Sequence, residues 1–191
     1  MHTPLCSAEK YQDKFKNHWS GISQNENIHM EDIENNLDLA WTFKFISLNP
    51  NLSEALGTTI RPELAVTIDF VKNHIDKMNW YYVSSNKNMI LDIIESNLNL
   101  LWNYNGISEN PNLIIKFIKE NPNQDWDWNY ISRNSNITMN DIEENTQYIW
   151  DYYTISANRN LTEEFIIKYF DQECDWNDIS KNPNISEAPL R

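Results

Sequence analysis

Apolar residues recur three and four positions apart along most of this chain, in blocks that repeat. Ser23, Ser47, Ser84, Ser108, Ser132, Ser156 and Ser180 share one register, at intervals of 24, 37, 24, 24, 24 and 24 residues. Four positions before each serine stands an aromatic residue (Trp19, Phe43, Trp80, Tyr104, Trp128, Tyr152, Trp176). One position before it stands an aliphatic one (Ile22, Ile46, Val83, Ile107, Ile131, Ile155, Ile179). A spacing of three puts both on one helix face. The position five before the serine is His18, Thr42, Asn79, Asn103, Asp127, Asp151 or Asp175; all but the histidine carry the short side-chain oxygen that accepts from free N–H groups at a helix start. A helix is predicted to begin there in every copy. Trp41, Trp102, Trp126 and Trp150 precede four of these caps, where packing on the fourth helical residue would form a hydrophobic staple.

Asparagine occupies two further columns, two and four residues after the serine. The first contains Asn110, Asn134, Asn158 and Asn182, and the second Asn112, Asn136, Asn160 and Asn184. Asparagine tolerates the left-handed conformation, and its amide bonds neighbouring backbone, so both columns predict turns. An apolar residue follows, then in many copies a Ser or Thr (Ser53, Thr138, Thr162) placed to cap a second helix, with sequences such as MNDIEEN, IIKFIKEN and EEFIIKYF. This second helix is predicted to be the longer of the pair. Residues 7–17 fall where the longer helix of the first pair belongs.

A fixed period in the low twenties is the mark of an array whose units pack mainly on their neighbours. The expectation is a single all-α solenoid domain over 1–191: seven helix pairs, an N-terminal capping helix at about 7–17, and an inserted loop at about 51–63. Leucine-rich-like repeats or a β-solenoid also suit a period of 24. Helical spacing, recurring caps and only three glycines favour helices.

Charge narrows the function classes. The 28 acidic and 15 basic residues give a net charge of −13, which repels phosphate backbones and argues against nucleic acid. No apolar run reaches the length of a bilayer span, and the first residues do not resemble a signal sequence; a soluble, intracellular protein is expected. Cys6 and Cys174 form no CxxC or Cys/His cluster and read as free thiols. The four N-glycosylation patterns (Asn51, Asn136, Asn160, Asn184) read as by-products of the repeat. Phosphate-loop, dinucleotide, zinc-protease and nucleophile-elbow motifs are missing from the sequence. His2, His18, His29 and His74 are scattered, and the acidic strings at 141–145 and 171–178 read as solvated faces without a calcium-loop glycine. No catalytic, cofactor or metal residue is expected. Trp80, Trp128 and Trp176, paired with aliphatic residues at core spacing, read as structural.

The segments DWDWNYISRNSNIT, NGISENPNLIIKFIKENP and DWNDISKNPNIS resemble the short asparagine- and tryptophan-rich repeats of giant DNA viruses that infect amoebae. The resemblance covers nearly the whole chain, apart from the insertion. It implies a repeat protein expanded by duplication, acting in an infected host cell, with no assigned activity and no catalytic residues to carry over.

Between Asp125 and Asp178 stand twelve acidic and three basic residues (Arg133, Arg159, Lys168), whereas the N-terminal segment carries Lys10, Lys14 and Lys16. Such asymmetry suits a basic protein partner. The expected function is therefore a non-enzymatic protein-binding scaffold, with Glu143, Glu144, Glu163, Glu164, Asp171 and Glu173 as candidate binding residues. The alternative is a self-associating structural or virion component joined through the solenoid ends.

Overall fold

A computed structural model describes residues 18–49, 66–169 and 171–185. The expected helix at 7–17, the insertion at 51–63, Cys6 and Ser53 lie outside the described residues. Among the described residues there are thirteen helices and no strand. This all-helical content speaks against the leucine-rich-like and β-solenoid alternatives, both of which need strands. No helix of the described residues is long and apolar enough to cross a membrane.

The helices fall into two compact units, Met1–Trp102 and Asn103–Arg191. The first contains α1 (Trp19–Ser23), α2 (Met30–Glu34), α3 (Phe43–Ile46), α4 (Val66–Asn73), α5 (Trp80–Ser85) and α6 (Leu91–Glu95). The second contains α7 (Tyr104–Glu109), α8 (Ile115–Glu120), α9 (Trp128–Arg133), α10 (Met139–Glu144), α11 (Tyr152–Ile155), α12 (Glu163–Lys168) and α13 (Trp176–Ile179).

The predicted starts are where the caps put them. The side chains of Asn79, Asn103, Asp127, Asp151 and Asp175 each accept at least one backbone N–H of the helix that follows. Thr138 caps α10 in a reciprocal box with Asp141, and Thr162 caps α12. Thr42 and His18 begin helices without a side-chain cap bond.

The predicted difference in length is present in part: α2, α4, α10 and α12, with five, eight, six and six residues, are longer than α3, α5, α11 and α13 that follow them, with four, six, four and four, whereas α8 equals α9 at six and α6, with five, is shorter than α7, with six. What keeps the helices short is visible at their ends. Asn121 and Asn145 donate their side-chain amides to the carbonyls four residues back, Phe117 O at 2.9 Å and Asp141 O at 2.6 Å, and leave helical backbone angles. Asn36 and Asn97 make the same bond after α2 and α6. The backbone carbonyl of each of these asparagines then accepts the indole N–H of the tryptophan five residues on: Trp41, Trp102, Trp126 and Trp150, at 2.7–2.9 Å. A residue expected to extend the helix thus ends it and fixes the next tryptophan.

Within each unit, consecutive repeats meet through one recurrent joint. The buried serine donates its hydroxyl to the carbonyl four residues back, as Ser108 does to Tyr104 O at 2.7 Å, and accepts the N–H of the next repeat's cap residue. Asp127 N–H reaches Ser108 Oγ, Asp151 reaches Ser132 and Asp175 reaches Ser156, all at 2.9–3.0 Å and all nineteen residues apart. In the first unit Thr42 N–H bonds Ser23 Oγ in the same way.

The first asparagine column is the second part of the joint. Each Oδ1 accepts the N–H two residues on, which is the predicted turn. The Nδ2 reaches back into the preceding repeat. Asn134 bonds Ser108 O and Asn110 O; Asn158 bonds Ser132 O, Asn134 O and Ile137 O; Asn182 bonds Asn158 O. Asn49 and Asn86 do the same in the first unit. These asparagines therefore form a ladder of backbone recognition as well as turns.

Tryptophans supply the third part. Trp41 sets its ring edge-on to Trp19, Trp102 to Trp80, Trp126 to Tyr104 and Trp150 to Trp128, with centroids 5.0–5.5 Å apart. Edge-to-face pairs of this kind add about 1 kcal/mol beyond the area they bury. Val83, Ile107 and Ile131, whose column was expected to be core, are fully buried, each contributing roughly 2 kcal/mol through removal of apolar surface from water. Helix α9 packs between α7 and α11, so the aromatic-first helices line up side by side.

Candidate functional site

The same joint that holds the second unit together shapes an open pocket on it. Trp150 is held by its indole bond to Asn145 O, and Asp151 is held by Ser132 Oγ; α11 then starts with Tyr152 and Tyr153 on either side of the chain. Tyr152 turns toward Phe165 and Tyr169, with centroids 6.3 and 5.4 Å away. Tyr153 stays 53% exposed, and Ile149, just before the tryptophan, is 79% exposed. Trp128 and Asn129 from the start of α9, and Gln172 and Glu173 from the turn before α13, complete an open pocket of about 400 Å³.

The pocket is apolar in its walls and acidic at its edge. Its lining includes the carboxylates of Asp151 and Glu173 and no lysine or arginine. The Asp175 carboxylate beside Tyr153 holds the phenol above its usual pKa, and the phenol holds the carboxyl below its own. Asp175 is also the cap of α13, accepting the N–H groups of Asn177 and Asp178. Burial raises the pKa of Tyr152, reinforced by Tyr169, Asp171, Cys174 and Glu143 around it. Burial likewise pushes the Cys174 thiol up, so it is protonated at neutral pH and lacks the thiolate that nucleophilic chemistry requires.

Of the six acidic residues singled out from the sequence, only Glu173 lines this pocket. Asp171 stands in the same turn and acts on Tyr152 and Cys174. Glu143 pairs with Lys168 at 2.9 Å, which offsets its charge locally. Glu163 and Glu164 occupy the first turn of α12, where negative charge complements the helix N-terminus, and Glu144 is exposed at the end of α10.

The structural residues fall where the repeat puts them. Trp80 and Trp128 sit in edge-to-face pairs, and Asn134, Asn158 and Asn182 are ladder members. Asn110 accepts on its backbone carbonyl from Asn134 and holds its own turn through Asn112 N–H. Trp176, read as core from its spacing, is instead 48% exposed, having no ring neighbour among the described residues to cover it.

Sequence reasoning passed over Ile149 and Tyr153. A signal existed: the column of Ile149 holds Lys16, Ala40, Lys77, Asp125 and Glu173 beside one other apolar residue, Leu101, and that of Tyr153 holds Ser20, Lys44, Asn105, Asn129 and Asn177 beside one other tyrosine, Tyr81. A bulky apolar residue in a column that is mostly polar or small marks a surface that the fold does not require to be apolar. No protein-family model, no curated protein and no solved structure matches the chain.

Proposed function

We propose that this chain is a non-enzymatic α-solenoid scaffold that binds a basic segment of another protein on the acidic side of its second unit. The solenoid reading is supported by the recurrence of one joint, with amide-to-carbonyl offsets of 24 and 26 residues, at consecutive repeats of each unit. The observation that carries the binding reading is the juxtaposition of exposed Ile149 and Tyr153 with Glu173 in one open pocket. Apolar anchors rimmed by charge are the usual make-up of an interface, in which the anchors supply affinity and the charges supply steering. The excess of carboxylates between Asp125 and Asp178 extends that field beyond the pocket and disfavours nucleic acid and anionic membrane surfaces as partners. On the resemblance to giant-virus repeats, the partner is a viral or host protein met inside the infected cell.

The test is binding to immobilised basic proteins, such as histones, over a salt series, with wild type compared with a variant carrying Glu143, Glu144, Glu163 and Glu164 changed to lysine. Salt-sensitive binding by the wild type and its loss in a variant that keeps its helical spectrum are expected. Absence of binding at low salt refutes the reading.

A second reading, a self-associating structural or virion component, is favoured by a different observation. Trp176 lacks the edge-on tryptophan that covers Trp19, Trp80 and Trp128, and Ile167 on α12 is 72% exposed. A molar mass that rises with concentration across a dilution series, and falls back to monomer in Trp176→Ala, would place this reading first.

A further inference from the structure

We infer that the pocket beside α11 takes the side chain of a single arginine from the partner, its guanidinium laid on the Tyr153 ring and paired with Glu173. This rests on the basic-segment reading above and specifies which group is recognised and by what.

Three features select arginine. First, the charged residues of the lining are of one sign: Asp151 and Glu173 stand in it with no lysine or arginine among the described residues, so an entering cation meets attraction there. Secondly, most of the wall is hydrocarbon and ring, from Trp128, Ile149 and Tyr153. A lysine ammonium is a compact, strongly hydrated charge that loses its water at high cost in such a place. A guanidinium is planar and weakly hydrated, stacks on aromatic faces and pairs with a carboxylate through two N–H groups at once. Asn129 and Gln172, whose side chains carry amide carbonyls, belong to the same lining. Thirdly, Tyr153 is prepared for the role. It is 53% exposed at the pocket, beside Glu173 in the same lining, so a cation on its ring face is attracted by the ring and by the carboxylate together.

The chain contains an internal example of the same contact. Arg133 lies with its guanidinium carbon 4.5 Å from the Tyr130 ring centroid and 4.0 Å from Glu109 through Nη2. There an arginine from one repeat is bracketed by a tyrosine and by a glutamate of the preceding repeat. At the pocket a tyrosine and a glutamate stand on consecutive repeats, Tyr153 and Glu173, with no arginine of the described residues in the lining.

The probe is an N-acetylated, C-amidated peptide of alternating glycine and arginine, compared with its citrulline and lysine counterparts. Citrulline keeps the shape and planarity of arginine and removes the charge. Binding is read from tryptophan fluorescence and amide chemical shifts on wild type, Tyr153→Ala, Tyr153→Phe and Glu173→Gln. The expected pattern is binding of the arginine peptide, weakening of roughly fivefold to tenfold in Tyr153→Ala and in Glu173→Gln, near-retention in Tyr153→Phe, weaker binding of the lysine peptide, and loss with citrulline. Both positions are exposed, and circular dichroism checks that the variants keep their fold. Equal binding of the citrulline or lysine peptide overturns the inference. So does arginine-peptide binding that neither Tyr153→Ala nor Glu173→Gln weakens; in that case the basic-segment reading survives with its site elsewhere. If wild type binds none of the peptides, the inference fails, and the basic-protein measurement alone decides whether the wider reading falls with it.

Discussion

Replacing Asn158 by alanine removes a side chain whose two amide hydrogens are shared among three carbonyls and whose oxygen accepts one N–H. Its Nδ2 donates to Ser132 O at 2.9 Å, Asn134 O at 3.1 Å and Ile137 O at 3.1 Å, and its Oδ1 accepts Asn160 N–H at 2.8 Å. Two of these partners are covered in the variant: Asn134 O still accepts Ile137 N–H, and Ile137 O still accepts Asn160 Nδ2. Ser132 O and Asn160 N–H are left without a protein partner. An unpaired buried polar group costs about 1–3 kcal/mol, so Asn158→Ala is expected to lose about 3 kcal/mol. Asn182→Ala is the internal control. Its single bond back, to Asn158 O, leaves a carbonyl that Leu161 N–H already satisfies, and its turn partner Asn184 is exposed to water; about 1 kcal/mol is expected.

Asn158→Asp separates donor from shape. It keeps the Oδ1 acceptor but turns a carboxylate oxygen toward three carbonyls, so at neutral pH it should be less stable than the alanine variant. That repulsion raises the folded-state pKa of the new carboxyl above its unfolded value of about 3.9. Relative to alanine, stability therefore returns as pH falls through the folded pKa and is complete below the unfolded one. Urea denaturation followed by circular dichroism measures all three. Equal shifts for Asn158→Ala and Asn182→Ala, or an aspartate variant as stable as alanine at neutral pH, would refute the ladder as a source of stability.

Ser108→Ala should cost about 1–3 kcal/mol because Asp127 N–H loses its acceptor in a buried joint; denaturant midpoints check this. Trp128→Ala, which removes a half-buried ring held edge-on by Trp150, should cost more than Trp176→Ala, half exposed and without a ring neighbour among the described residues; the same assay compares them. The interaction of Tyr153 with Asp175 sets a pH window. Its contribution is present above the ordinary Asp value of 3.8 and lost as pH falls through the depressed folded value; it is present below the ordinary Tyr value of 10.0 and lost as pH rises through the raised one. Ultraviolet titration should therefore show several tyrosines ionising late, Tyr104 and Tyr152 through burial and Tyr153 through Asp175, and Asp175→Asn should bring Tyr153 back toward the ordinary value.

The parts of the fold legible in the sequence are those whose chemistry is local. Asp127, Asp151 and Asp175 cap the helices that follow because cap and N–H lie within three residues. The Oδ1 half of the asparagine ladder is local too, and its turns were readable. The Nδ2 half reaches 24–26 residues back, and no spacing rule within one repeat separates an amide that holds its own turn from one that also reads its neighbour. Asn145 misled for a related reason: as the last residue of MNDIEEN it extends a helical pattern, yet its side chain closes that helix. At the pocket, Glu173 was readable through charge. Ile149 and Tyr153 were not singled out because an apolar residue in a helical repeat reads first as core, and only three-dimensional packing shows that their columns face outward.

The asparagine ladder recognises backbone carbonyls, which every amino acid has. Its geometry survives a change in chain length. Asn79 N–H meets Ser47 Oγ across 32 residues, and Asn86 meets Ser47 O and Asn49 O across 39 and 37, each thirteen more than the usual offsets of nineteen, 26 and 24. A joint of this kind is a universal fitting: neighbouring repeats do not need matched side chains at those contacts. A repeat inserted beside another would meet it at the serine–asparagine joint through backbone groups, as the joint between Ser47 and Asn86 does across thirteen extra residues. The columns free of the joint are then left to diverge, and Ile149, Tyr153 and Glu173 stand in such columns.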